Sequence, residues 1–193
     1  MNMVQVYIKG QEDKELSSFL RYYPVRIKSI GMDAFFDRQV IYDFKDGRNH
    51  ADVAKCVAKM LVKKFCRKVR SVVFSCVPAS SQERNEARNK NFSELVCKFS
   101  GAINGFSHVK VVGERTAVHG TKVKKHEREK RLKEKNNIEV DANFFKNKIV
   151  CIWDDVVTTG TSFCAYTAQL EQVGAHVTNG IFLGKTSYKY VQQ

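Results

Sequence analysis

The sequence predicts an α/β fold built on a parallel sheet, and three observations carry that expectation. Apolar runs at residues 71–77, 148–153 and 177–183 have the composition of strands buried on both faces. Val53, Val57, Leu61 and Phe65 recur every four residues, as on one face of a helix. Residues 162–173 form a second segment of helical length, closed by Gly174. Strands separated by helices of this length imply βαβ units, whose ligands bind beyond the carboxyl ends of the strands.

Taken in order, residues 4–8 alternate like a strand, as do 25–30, and 39–42 read as a third. Residues 1–45 are therefore expected to form a small β-rich elaboration, with the core over 46–193. Asn49 is placed to cap a helix, with Asp52 three residues on as the capping-box acid. The outward face of that helix is strongly basic: Lys55, Lys59, Lys63, Lys64, Arg67 and Lys68. Pro78 stops the strand at 71–77. A polar helix is expected over 82–99, a short strand over 109–112, and a polar stretch over 124–135.

Composition narrows the class. The 193 residues make one domain, and 43% hydrophobic residues suffice for an ordinary core. No apolar run approaches the roughly 20 residues of a membrane span. The first residues lack a basic segment followed by an apolar one, so a cytoplasmic protein is expected. Six cysteines without a C-x-x-C pair read as reduced, buried thiols. The net charge of +13 points to a polyanion, either a nucleic acid or a small phosphorylated ligand.

The run Ile149-Val150-Cys151-Ile152-Trp153-Asp154-Asp155-Val156-Val157-Thr158-Thr159-Gly160-Thr161-Ser162 is the most informative in the chain. A buried-type strand leads to two carboxylates, then a hydroxyl-rich turn with a glycine, then a helix. Asp154 and Asp155 suit the vicinal hydroxyls of a ribose. On an extended strand adjacent side chains point oppositely, so both can serve only if the strand ends there. Thr158, Thr159, Gly160, Thr161 and Ser162 offer backbone N–H groups and hydroxyls to a phosphate, with the helix N-terminus behind them. Ser162 also suits an N-cap.

This run resembles the signature that binds 5-phosphoribosyl 1-pyrophosphate (PRPP) in type I phosphoribosyltransferases. Within that superfamily the chain looks most like the ComF-like competence-associated proteins. Further segments carry the resemblance in the family's order: Ile41-Tyr42-Asp43-Phe44-Lys45, Val77-Pro78-Ala79-Ser80, Lys90-Asn91-Phe92-Ser93-Glu94-Leu95, the basic stretch from Lys122 to Lys135, and Leu183-Gly184-Lys185-Thr186. The resemblance implies a Rossmann-like phosphoribosyltransferase core with an N-terminal β-rich hood. It implies that Asp154 and Asp155 hold the ribose 2- and 3-hydroxyls and that Thr158–Ser162 hold the 5-phosphate. Pro78, Ala79, Ser80 and Ser81 take the place of the pyrophosphate loop, often the seat of an unusual peptide bond, with Arg84 or Arg88 adding charge. A flexible loop would close over the ligand from residues 113–135, with Arg115, Lys122, Lys124 and Lys125 as candidate contacts. Lys45 matches a lysine that precedes the family's first helix.

The activity so implied is transfer of phosphoribosyl from Mg²⁺–PRPP to a nitrogen acceptor, with release of pyrophosphate. The Mg²⁺ arrives with PRPP, and no dedicated protein metal site is expected. The family is often dimeric, which admits a homodimer. The alternative is a ComF-like protein that keeps the fold and handles single-stranded DNA or regulates, for which the +13 charge and the basic face over 55–70 speak. The family's N-terminal zinc-binding cysteine cluster has no counterpart here, and Ser80 replaces a second proline. Tyr22, Tyr23, Phe35 and Phe36 suit either an acceptor base or core packing. Other motifs fail. Gly180–Lys185 has three residues between its glycines where a phosphate loop of the Walker type needs four. His119 and His126 lack cysteine partners. No G-x-S-x-G is present.

Overall fold

A computed structural model describes residues 3–112 and 138–190. Its strands in chain order are β1 (Val4–Gln5), β2 (Glu15–Tyr22), β3 (Val72–Cys76), β4 (Ile103–Asn104), β5 (Val109–Val111), β6 (Ile138–Val140), β7 (Ile149–Val157) and β8 (His176–Thr186). Its helices are α1 (Met32–Lys45), α2 (His50–Phe65), α3 (Gln82–Asn85), α4 (Asn91–Ser100), α5 (Ala142–Phe145) and α6 (Thr161–Gln172). The main sheet has the order β1-β2-β8-β7-β3-β4. All its neighbours are parallel except β1, which lies antiparallel on the edge. β5 and β6 form a separate antiparallel ribbon. The protein is thus α/β with a mostly parallel central sheet.

Every residue of β3 is buried, as a strand covered on both faces requires. One face packs under α1, α2 and α4 through Ile41, Phe44, Val57, Leu61, Phe92 and Val96. Trp153 sits in this layer, with ring centroids 5.0 Å from Phe92 and 5.6 Å from Phe44. The other face packs under α6 through Phe163, Tyr166 and Leu170, joined by Val6 and Ile8 from the N-terminal segment. No described helix is long and apolar enough to cross a membrane.

The helix expected from Asn49 is α2, and Val53, Val57 and Leu61 face the core. Asn49 stands at its N-cap position but spends its side chain elsewhere, donating to the Val40 carbonyl at 3.0 Å. The polar helix expected over 82–99 is present but broken in register. α3 and α4 are joined by one π turn over Glu86–Lys90, and Gly101 in the left-handed conformation (φ 80°) closes α4.

The N-terminal region differs from expectation. Residues 25–30 are not a strand. Pro24 begins a turn closed by Ile27 N–H to the Pro24 carbonyl at 2.8 Å, and the Arg38 guanidinium donates to the carbonyls of Tyr23, Pro24 and Ile27. Residues 39–42 lie inside α1, where Ala34, Ile41 and Phe44 share the buried face. The strand is instead β2, which the serines at 17 and 18 conceal in the sequence although both are buried. The β-rich hood expected over residues 1–45 is thus replaced by two strands that extend the main sheet and one helix that covers it. The expectation of buried thiols holds for Cys76 and Cys151, whereas Cys56 and Cys66 are exposed on and just beyond the outer face of α2.

Candidate functional site

From β3 the chain steps outward to β4, and from β7 it steps the opposite way to β8. The β3–β7 boundary is therefore the point where strand order reverses. Loops leaving the two strand ends diverge there and open a crevice. Four segments reach it: Val77–Ser81 after β3, the Asp154–Ser162 run through and beyond β7, the end of α1 at Lys45, and the π turn at Arg88.

β7 does not stop at its acids, as serving one ligand with both was expected to require. Its ladder to β8 continues with Asp154 opposite Phe182, Val156 opposite Gly184 and Val157 opposite Lys185. On the other side pairing with β3 ends at Cys76 opposite Trp153, followed by one bond from Val77 N–H to the Trp153 carbonyl. The acids therefore line a one-sided stretch of strand whose open edge faces the Val77–Ser81 loop. Each carboxylate turns back on the chain. Asp154 Oδ1 accepts from Asp155 N–H at 2.9 Å, and Asp155 Oδ1 accepts from Val156 N–H at 2.7 Å.

Asp155 Oδ2 lies 3.4 Å from the Arg88 guanidinium and 3.8 Å from Lys45 Nζ. Three candidates from distant parts of the sequence are thus one cluster. Asp154 has no such cation in direct contact. Burial first, and the charge of Asp155 second, push its carboxyl well above the usual range. The two acids thus lie in different electrostatic settings.

Beyond β7 the loop is tightly braced. Thr158 Oγ1 is 2.7 Å from Thr186 Oγ1, and the Thr158 carbonyl accepts from Lys185 Nζ at 2.9 Å. Thr159 Oγ1 and Thr161 Oγ1 are 2.9 Å apart. Gly160 has φ 83°, and a Cβ there would lie 2.7 Å from Ile8 Cδ1. Glycine is required on both counts. The N-cap of α6 is Gly160, not Ser162, because the first helical bond runs from Cys164 N–H to the Gly160 carbonyl. Thr161 and Ser162 fall in the exposed first turn, where backbone N–H groups have no helical partner.

On the facing loop the Ala79 amide is already engaged, donating to Asn85 Oδ1 at 3.2 Å, so it is not free for an anion as the sequence suggested. No hydrogen bond engages the Ser80 and Ser81 amides among the described residues. Arg84 donates to Ser80 Oγ at 3.3 Å, and Ser81 Oγ caps α3. All described peptide bonds are trans. Tyr22 is half-buried with Lys45 Nζ 5.9 Å from its ring centroid, and Tyr23 is buried against Tyr190. Phe35 and Phe36 are exposed, so core packing does not account for them. Arg115, Lys122, Lys124 and Lys125, with His119 and His126, lie outside the described residues.

Sequence reasoning missed Asn85 and Asn89. Both are buried, and Asn89 Nδ2 donates to Asn85 Oδ1 at 2.8 Å and to the Val77 carbonyl at 3.2 Å. This pair ties the loop to the π turn that carries Arg88. Its only sequence signal is the four-residue spacing of two amides in a polar helix. Lys185 and Thr186 were noted only within longer motifs, and the register places them beside Thr158. Among the described residues no three His, Cys, Asp or Glu side chains gather as a metal site. No protein-family model matches the chain, and no curated protein matches it.

Proposed function

We propose that this crevice binds PRPP and that the protein transfers its phosphoribosyl group to a nitrogen nucleophile. One observation carries the reading. Asp155, Lys45 and Arg88 meet at the strand-order reversal, between a glycine turn leading into a helix and a loop with two unengaged amides. A diol-binding acid flanked on both sides by anion sites matches a ribose phosphorylated at one end and pyrophosphorylated at the other.

In this arrangement the 5-phosphate rests on Thr158–Ser162 at the start of α6. Asp154 and Asp155 take the ribose hydroxyls. The pyrophosphate lies over Ser80 and Ser81, and Lys45 and Arg88 turn toward it. The bond from ribose C1 to the pyrophosphate oxygen breaks, and its electron pair leaves with pyrophosphate. The carboxylates lower the energy of the electron-poor ribose, and the acceptor nitrogen attacks the opposite face and sheds its proton. Asp155 is already compensated by two cations, which fits a magnesium ion held by pyrophosphate oxygens and water rather than by the protein. That ion supplies charge neutralisation for the leaving group.

Titration calorimetry of Mg²⁺–PRPP into the wild type and into Asp154→Asn/Asp155→Asn tests the site. Micromolar binding lost in the variant is the expected result, and pyrophosphate release with candidate bases then finds the acceptor. A wild type that ignores PRPP but binds single-stranded DNA with a steep salt dependence would overturn the assignment.

A further inference from the structure

Far from the crevice, α2 and α4 diverge toward their C-termini. A groove of about 510 Å³ opens between them, lined by Lys55, Ala58, Lys59, Val62, Lys63 and Phe99. α2 ends just before β3 begins, so the groove lies at the pole opposite the strand carboxyl ends. Its floor is apolar, with Val62 43% and Phe99 41% exposed. Along it Lys59 and Lys63 are spaced one helical turn apart, about 6 Å. Lys55 pairs with Asp52 at 3.1 Å, whereas Lys59 and Lys63 have no acidic partner among the described residues.

The same helical layer presents a second feature of matching chemistry. Met32 (68% exposed), Phe35 (49%) and Phe36 (58%) project from the first turns of α1 at spacings that put them on one stripe. Asp33 and Asp37 flank them, also one turn apart. Neither has a cationic partner among the described residues: Asp33 accepts from Tyr190, and Asp37 has a backbone bond at Arg21. On a chain of net charge +13 this is an acidic, apolar ridge.

We propose that the groove receives a second copy of this chain, with the α1 ridge of one protomer seated between α2 and α4 of the other. Phe36 and Met32 cover Val62 and Phe99, and the Asp33/Asp37 pair meets the Lys59/Lys63 pair. α1, α2 and α4 cover the same face of the sheet, so a twofold axis can satisfy both contacts at once and close the assembly as a dimer. An apolar floor sets this surface apart from a nucleic-acid track, where phosphates need cations alone. The pairing is independent of what the crevice binds.

Sedimentation equilibrium across concentrations up to about 100 µM reads the assembly directly. The wild type is expected to be a dimer, and Phe36→Glu and Lys59→Glu/Lys63→Glu are each expected to weaken it about tenfold or more. Lys110→Glu/Lys146→Glu, on the other side of the sheet, makes the same charge change and serves as control. Lowering the net charge relieves repulsion between copies, so the control dimer should be as tight or tighter. Circular dichroism verifies that each variant is folded, and a second ridge variant, Met32→Lys, replaces any that is not. A wild type monomeric throughout, or a dimer indifferent to both sets of changes, overturns the proposal. So does a loss of DNA binding in Lys59→Glu/Lys63→Glu with the dimer unchanged, which would give the lysines to nucleic acid.

Discussion

Asp155 holds two cations at 3.4 and 3.8 Å, long for direct ion pairs, and its side chain is 12% exposed. Such contacts are readily exchanged for a better anion, so Asp155→Asn should free Lys45 and Arg88. Binding of PRPP should fall while binding of free pyrophosphate holds or improves, and calorimetry with both ligands separates the two effects. Asp154 behaves differently. Its folded carboxyl titrates above its unfolded value, so the folded state binds more protons between those values, and stability falls as pH rises through that window. Asp154→Asn should therefore raise the melting temperature at neutral pH, with the gain vanishing near pH 4, while ligand binding is lost. Gly160→Ala meets both a left-handed backbone and Ile8, and a loss of about 2 kcal/mol in denaturant unfolding is expected. The signature's residue types were legible in the sequence; the split between its two acids was not, because it depends on where a neighbouring strand stops pairing.

The π turn between α3 and α4 sets the direction of Arg88. Asn85 and Asn89 lock it to the Val77–Ser81 loop, so one buried amide pair positions an arginine and a loop together. Asn89→Ala leaves buried polar atoms unpaired and should cost about 2 kcal/mol. If this pair positions the site, PRPP affinity falls more than for a surface variant of equal stability. At the start of α2, His50 stacks among Phe44 and Phe92 and donates from Nε2 to the Phe44 carbonyl at 2.9 Å. Burial holds its pKa below the ordinary value. The unfolded chain then binds the extra proton first, so stability is full above about pH 6.5 and declines as pH falls below it. His50→Gln should flatten that limb of the melting curve against pH. The helices were legible where one face was apolar over several turns, as in α2. Four-residue windows such as 39–42 carried no such information, since a short apolar run fits strand and helix alike.

The parallel sheet followed from runs like β3 and β7, which only a strand covered on both faces explains. The placement of the first strand did not follow, because Ser17 and Ser18 break the apolar pattern and no local signal names a partner more than 150 residues away. β2 pairs with β8 over Glu15 to Tyr22 against Asn179 to Thr186, and Ile8 rests against Gly160. The first strand of the sheet is therefore completed by the last. During synthesis on the ribosome β2 has no parallel neighbour until β8 has left the exit tunnel, so for most of translation it is an apolar segment waiting for a chaperone or for its mate. The glycine turn likewise lacks its full bracing until Lys185 and Thr186 arrive. A chain released early would make neither the sheet nor the crevice, so quality control need only recognise an unpaired β2 to discard every truncated product.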